Sequence, residues 1–178
     1  MTRKTLSLFS GLSAAAFLAS GCGSSSTQPA TAARVTPEYD KGTGRLTRIA
    51  YDLKGGGRPD SWAYMDGARV VRVEIDEDGN GTIDRWEFHA QAISPLETLV
   101  RIERATRHDG RVSRWEYFER GALTKVEEDT DGDGKIDKWE TYTGGTLTSM
   151  ALDSSGHGTP DRRLLYKADG SFDRIETF

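Results

Sequence analysis

Cysteine occurs once in the 178 residues, at Cys22, so no disulfide can close within the chain. Cations are outnumbered, 24 Lys and Arg against 28 Asp and Glu, and they form no basic patch, which disfavours nucleic acid as a partner. There are three histidines, His89, His108 and His157, and no nucleophile stands beside a base in the sequence. Carboxylates are plentiful, but loop acids gathered on a cation make a poor acid–base pair, so catalysis is not expected. Apolar residues make up only 35% of the chain. The longest apolar stretch, Leu6 to Ala19, is too short to cross a bilayer comfortably.

That stretch has a different use. It follows the short basic start Met1-Thr2-Arg3-Lys4-Thr5 and runs into Leu18-Ala19-Ser20-Gly21-Cys22, the layout of a secretory signal peptide. Leu18 to Cys22 resembles the lipobox of bacterial lipoproteins. The resemblance implies cleavage before Cys22, a diacylglyceryl thioether and an acylated amine on Cys22, and a membrane partner held through that lipid. Several acyl chains at about 0.8 kcal/mol per buried methylene anchor a protein almost permanently. Gly23 stands where Asp favours inner-membrane retention in enteric bacteria, so an outer-membrane location is expected. Residues 22–37, rich in Gly, Ser, Thr, Ala and Pro, read as the lipidated cysteine and a flexible tether. Loss of residues 1–21 removes Arg3 and Lys4 and takes the net charge from −4 to −6.

Residues 38–178 are a repeat. Ile49, Val73, Ile102, Val126, Met150 and Ile175 are equivalent, at steps of 24, 29, 24, 24 and 25. Trp62, Trp86, Trp115 and Trp139 fall at one position, and Arg163 takes that place in the last copy. Around each tryptophan, as in Trp86-Glu87-Phe88, apolar and polar residues alternate, the mark of a strand with one buried face. Gly67, Gly121, Gly144-Gly145 and Gly170 then supply tight turns. The expected fold is all-β, an antiparallel meander of about five 24-residue β-hairpin repeats with about ten strands. An open twisted sheet, a sandwich and a barrel all fit. Leu46, Val70, Leu123, Leu147 and Phe172 stand three residues before the repeating aliphatic, which calls for a bulge or for two partly covered faces. The second repeat is five residues longer, at His89 to Thr98, either as a tolerated insertion or as a recognition loop.

The loops between hairpins carry the chemistry. Asp76 to Glu87 and Asp129 to Glu140 both satisfy D-x-[DN]-x-[DN]-G-x5-E, and resemble the loops of EF-hand and related bacterial calcium-loop repeats. The resemblance implies calcium as cofactor. It assigns Asp76, Asp78, Asn80, the Thr82 carbonyl, Asp84 and Glu87 to one site, and Asp129, Asp131, Asp133, the Lys135 carbonyl, Asp137 and Glu140 to the other. Strands rather than helices flank both, so these are calcium loops outside an EF-hand domain. Trp115-Glu116 repeats the Trp-Glu pair where the loop acids are gone, so Glu87 and Glu140 also read as the polar face of a strand. The other three loops, with Lys54, Arg107 and His157 at or near ligand places, read as empty turns. The function expected is a lipid-anchored cell-envelope protein whose calcium loops stabilise a binding or scaffold module for a protein or glycan. The alternatives are a metal-independent structural lipoprotein or a cryptic hydrolase. An exposed patch of Tyr64, Tyr117, Phe118 and Tyr142 would favour a glycan.

Overall fold

The computed structural model describes residues 34–91 and 98–178. The signal peptide, Cys22, most of the tether and the centre of the His89–Thr98 insertion lie outside the described residues. Twelve antiparallel strands follow one another in chain order across a single sheet. They are β1 (Arg34–Tyr39), β2 (Leu46–Asp52), β3 (Ser61–Asp66), β4 (Arg69–Ile75), β5 (Arg85–His89) and β6 (Leu99–Arg104). After these come β7 (Arg114–Glu119), β8 (Ala122–Glu128), β9 (Lys138–Thr143), β10 (Thr146–Leu152), β11 (Arg162–Tyr166) and β12 (Phe172–Thr177). The five repeats supply β3 to β12, and β1 with β2 forms a further hairpin ahead of them. β1 starts inside the stretch expected to be tether, and its Pro37 sits on an edge strand, where a missing amide is tolerated.

The sheet is open and one layer thick: each strand packs on its neighbours, and β1 is not paired with β12. Its side chains fall into rows fixed by the register. One row reads Ala50, Trp62, Glu74, Trp86, Glu103, Trp115, Glu127, Trp139, Ala151, Arg163. All four tryptophans therefore share one face, on every second strand and roughly 10 Å apart. The next residue along each strand belongs to the other face. There the row reads Ile49, Ala63, Val73, Glu87, Ile102, Glu116, Val126, Glu140, Met150, Leu164. The repeating aliphatics and the repeating tryptophans thus lie back to back. Without a second layer the buried apolar set is small: Ala50, Ala63, Ile102, Ala105, Val126 and Ala151.

The bulge is present. In β2, β8 and β10 the register skips Thr47, Thr124 and Thr148, each of which stands opposite no partner. The extra residue brings Leu123 to the same face as Val126. Each bulged threonine donates its hydroxyl to the carbonyl of the neighbouring strand, at 3.1 Å to Glu38, 3.2 Å to Tyr117 and 3.0 Å to Thr141. Two hairpins close on residue pairs with positive φ, Arg120-Gly121 and Gly144-Gly145, as a two-residue turn of the favoured hand requires.

Both faces are built from charge as much as from apolar surface. Beside the tryptophans runs a row of Tyr64, Arg72, Phe88, Arg101, Tyr117 and Lys125. The guanidinium of Arg72 lies 4.1 Å from the Tyr64 ring and that of Arg101 4.3 Å from the Phe88 ring. The same cations pair with the glutamates of the tryptophan row, Arg72 with Glu74 at 3.0 Å and Arg101 with Glu103 at 3.1 Å. On the opposite face an ion-pair ladder runs from Glu77 through Arg104, Glu116, Arg114, Glu128 and Lys138 to Glu140, with contacts of 2.8–3.3 Å. The four aromatics considered for a ligand patch are divided. Tyr64 and Tyr117 lie on the tryptophan face, whereas the register puts Phe118 and Tyr142 on the other.

Candidate metal centre

Four of the long loops are organised by the carboxylates of their first and ninth residues, and the third by its ninth residue, Ser113. Asp76 accepts the amides of Gly79 at 2.7 Å and Gly81 at 2.8 Å, and Asp129 accepts those of Gly132 at 2.6 Å and Gly134 at 3.0 Å. From the far end of the loop, Asp84 takes the Glu77 amide at 2.9 Å and Asp137 the Thr130 amide at 3.0 Å. Loops without the full motif do the same. Asp52 holds Gly56 and Gly57, Asp60 holds Lys54, and in the third loop Ser113 Oγ takes the Thr106 amide. The amides of these anchor residues continue the strand ladder from loop to loop, as from Asp129 to the Ser113 carbonyl and from Asp153 to the Asp137 carbonyl. The loop carboxylates are therefore part of the fold itself, and Asp52, Asp60, Asp76, Asp84, Asp129 and Asp153 are all buried. Burial raises the Asp76 carboxyl, but the Gly81 and Gly79 amides, Asp78 and the Lys54 charge outweigh it and hold it below the usual range.

Among the described residues, two clusters can each offer ligand atoms to one ion. Carboxylate oxygens of Asp129, Asp131 and Asp137 lie within 4.8 Å of one another, and so do ligand atoms of Asp78, Asp84 and His108. Five of the expected side chains are not among those ligand atoms. Asn80 takes the Thr82 amide at 2.7 Å and donates to Asp78 at 2.9 Å and to the His108 carbonyl at 3.3 Å, while Asp133 takes the Lys135 amide at 2.8 Å. Asp76 caps its loop as described. Glu87 and Glu140 face the ion-pair ladder: Glu87 pairs with Arg85 and lies 3.7 Å from His89, while Glu140 pairs with Lys138 at 2.8 Å and accepts the Tyr142 hydroxyl at 2.8 Å. Burial raises the Glu140 carboxyl, yet Lys138, Tyr142 and Arg114 pull it below its ordinary value. Thr82 and Lys135, expected to give carbonyls, lie in the exposed parts of their loops, and the Lys135 ammonium reaches the Gly156 carbonyl at 3.1 Å.

Three residues outside the motif reach from one loop to an adjacent one. Lys54 donates to the carbonyls of Asp76 at 3.1 Å and Glu77 at 2.7 Å. The Arg107 guanidinium stands 3.7 Å from the Asp129 carboxylate. His108 Nδ1 stands 3.2 Å from Asp84 Oδ1. Their signal was the register: a fixed step places each loop beside its successor, so a side chain in a turn that has lost its acids borders the next full motif.

A 390 Å³ cleft opens between the first two loops, lined by Lys54, Arg58, Asp60, Trp62 and Asp76 among others. A hydroxyl and an imidazole also meet at the base of the insertion, where His89 Nδ1 lies 3.2 Å from Thr98 Oγ1. The carboxylate that would orient this imidazole, Glu87, is beyond hydrogen-bond length and engaged by Arg85.

No family model matches the chain, and no curated protein matches it. Among solved structures it is similar to a GtfA/B complex bound to UDP and GlcNAc, at 8% identity and a TM-score of 0.32 over 83% of this chain. The chain spans about a quarter of that protein's length, 24%. A likeness of that size bears on neither fold nor activity.

Proposed function

We propose that this chain is a lipid-anchored protein of the cell envelope, expected at the outer membrane, whose repeat sheet is a non-catalytic binding or scaffold module stapled by calcium. The observation that carries the binding reading is the one-layer sheet with its row of tryptophans. A sheet that buries neither face in a second layer offers an extended, regular surface of aromatic rings, carboxylates and cations. Its partner is a protein or a glycan. The cleft beside Trp62 adds a concave feature of the kind small ligands use.

The calcium reading rests on Asp129, Asp131 and Asp137, an all-oxygen set converging on one point. Calcium takes 6–8 oxygens and suits a loop that also exposes carbonyls. Extracellular modules bind calcium with dissociation constants of about 10⁻⁴–10⁻³ M, which fits a staple better than a sensor.

Thermal melting of the whole chain in EGTA, in millimolar magnesium and in millimolar calcium tests the staple. Calcium at 100 times the dissociation constant adds about 2.7 kcal/mol per native-only site, several degrees in a domain of this size. Asp131→Ala should abolish most of that rise, and a wild-type melting curve indifferent to calcium would leave a metal-independent structural protein. For the anchor, Cys22→Ala should end metabolic labelling with palmitate; persistent labelling would remove the lipid assignment.

A further inference from the structure

We propose that Asp78, Asp84 and His108 form a site for a divalent transition metal of the zinc class, built across the second and third loops.

Asp84 is the starting point. Its side chain is 1% exposed, and Oδ2 is engaged by the Glu77 amide at 2.9 Å. Oδ1 is fully buried and takes no hydrogen bond from any described residue. A buried carboxylate oxygen left in that condition is costly. It does have a close neighbour: His108 Nδ1, 3.2 Å away, whose ring is not oriented to donate to it. Two ligands held at 2.0–2.1 Å on a tetrahedral ion stand about 3.3 Å apart. His108 Nδ1 and Asp84 Oδ1 thus stand at the spacing of two ligands of one such ion, with no hydrogen bond between them. Asp78, exposed at the mouth, brings a third ligand atom within the same 4.8 Å span.

The two loops are fastened together at this place. Asn80 Nδ2 donates to the His108 carbonyl at 3.3 Å, and a Cβ on Gly110 would come within 2.7 Å of the Thr82 methyl. His108 itself is held at φ 54°. The donor set then selects the ion. Imidazole suits zinc, copper, iron and nickel, whereas calcium takes oxygen ligands. The fourth-repeat cluster differs on this point. At the place of His108 in the following loop stands Gly156, so Asp129, Asp131 and Asp137 remain an all-oxygen set. One sheet would then hold two chemically distinct metal positions, two repeats apart. The inference stands apart from the calcium reading and limits that reading to the fourth repeat.

The test uses the whole chain in detergent, stripped with EDTA and titrated with cobalt(II), whose visible absorption reports a low-coordinate nitrogen-containing site, and then with zinc. The expected result is one cobalt ion per chain, displaced by zinc and not by a hundredfold excess of calcium. His108→Asn suits the left-handed backbone at that position, and should weaken cobalt and zinc at least tenfold without lowering the metal-free melting temperature. Asp131→Ala should leave the cobalt spectrum unchanged while removing the calcium response. Retention of the cobalt band and affinity in His108→Asn would overturn the proposal. So would their loss in Asp131→Ala, or a wild-type chain that takes up no cobalt at millimolar concentration.

Discussion

Arg107→Gln is a substitution whose effect should change sign with calcium. The guanidinium stands 3.7 Å from the Asp129 carboxylate, and it lies 2.8 Å from where a Cβ on Gly132 would stand. The fourth-repeat loop therefore already carries one positive charge beside its acids. Two unit charges 4 Å apart interact by about 1 kcal/mol in water and about 4 kcal/mol at an effective dielectric of 20. Arg107 is well exposed, so the lower figure governs, and a doubly charged ion in the loop is opposed by about 1–2 kcal/mol. Removing the charge while keeping a polar side chain should tighten calcium binding about tenfold. Without metal the same change costs an exposed ion pair, about 0.2–1 kcal/mol, or about 1–3 °C of melting temperature. Calorimetric titration at low salt measures the first effect, and melting in EGTA the second. In 1 M salt, where screening acts over about 3 Å, the gain in affinity should largely vanish. Calcium affinity that is unchanged or weaker in Arg107→Gln at low salt would refute the electrostatic reasoning.

Val126→Ala trims an apolar side chain that has no exposure at all, and should cost about 2 kcal/mol by urea denaturation, a large loss for so thin a core. Arg114→Ala takes away the cation between Glu116 at 2.9 Å and Glu128 at 2.9 Å, and should cost about 1–2 kcal/mol, more than an exposed pair because three largely buried carboxylates are left with only Arg104 and Lys138 between them. Acid should unfold the sheet. Burial raises the Asp153 carboxyl, but bonds from Ser155 and the Gly158 amide outweigh it and bring it to about 2, and Asp76 and Glu140 are held low as well. Below about pH 5 the unfolded chain binds more protons than the folded one, so stability should be fully present above about pH 5 and fall as the pH drops from there to about 2. A melting temperature level across that range would contradict these hydrogen-bond assignments.

The repeat step and the tryptophan position were legible in the sequence because a meander in chain order turns equal sequence spacing into equal spatial rows. The bulge was legible as a choice between two options; the register skips Val71, Val100 and Asp173 as well as Thr47, Thr124 and Thr148, so the bulge belongs to the repeat, and where the skipped residue is threonine its hydroxyl also bonds across to the next strand. The site was legible only in part. A twelve-residue motif names residues near in sequence, and within it Asp129, Asp131 and Asp137 do converge. Glu87 and Glu140 turn elsewhere because their partners sit on strands and are set by register. Arg114, which the motif does not contain, lies 3.9 Å from Glu140. His108 was invisible for the same reason: it belongs to a loop that has lost its own acids and faces the neighbour's.

A structure in which every strand leans only on the strands beside it behaves as a chain of links. Its stability is close to a sum of hairpin terms and couplings between adjacent hairpins. Damage at β1 or β12 removes one coupling and frays an end. Damage at the centre parts the array into two short pieces, each with a newly bared edge. The third loop lies near that centre, with Ala105 and Ser113 where its neighbours have paired aspartates, so the hydrogen bonds from Thr106 to Ser113 help hold the two halves as one cooperative unit.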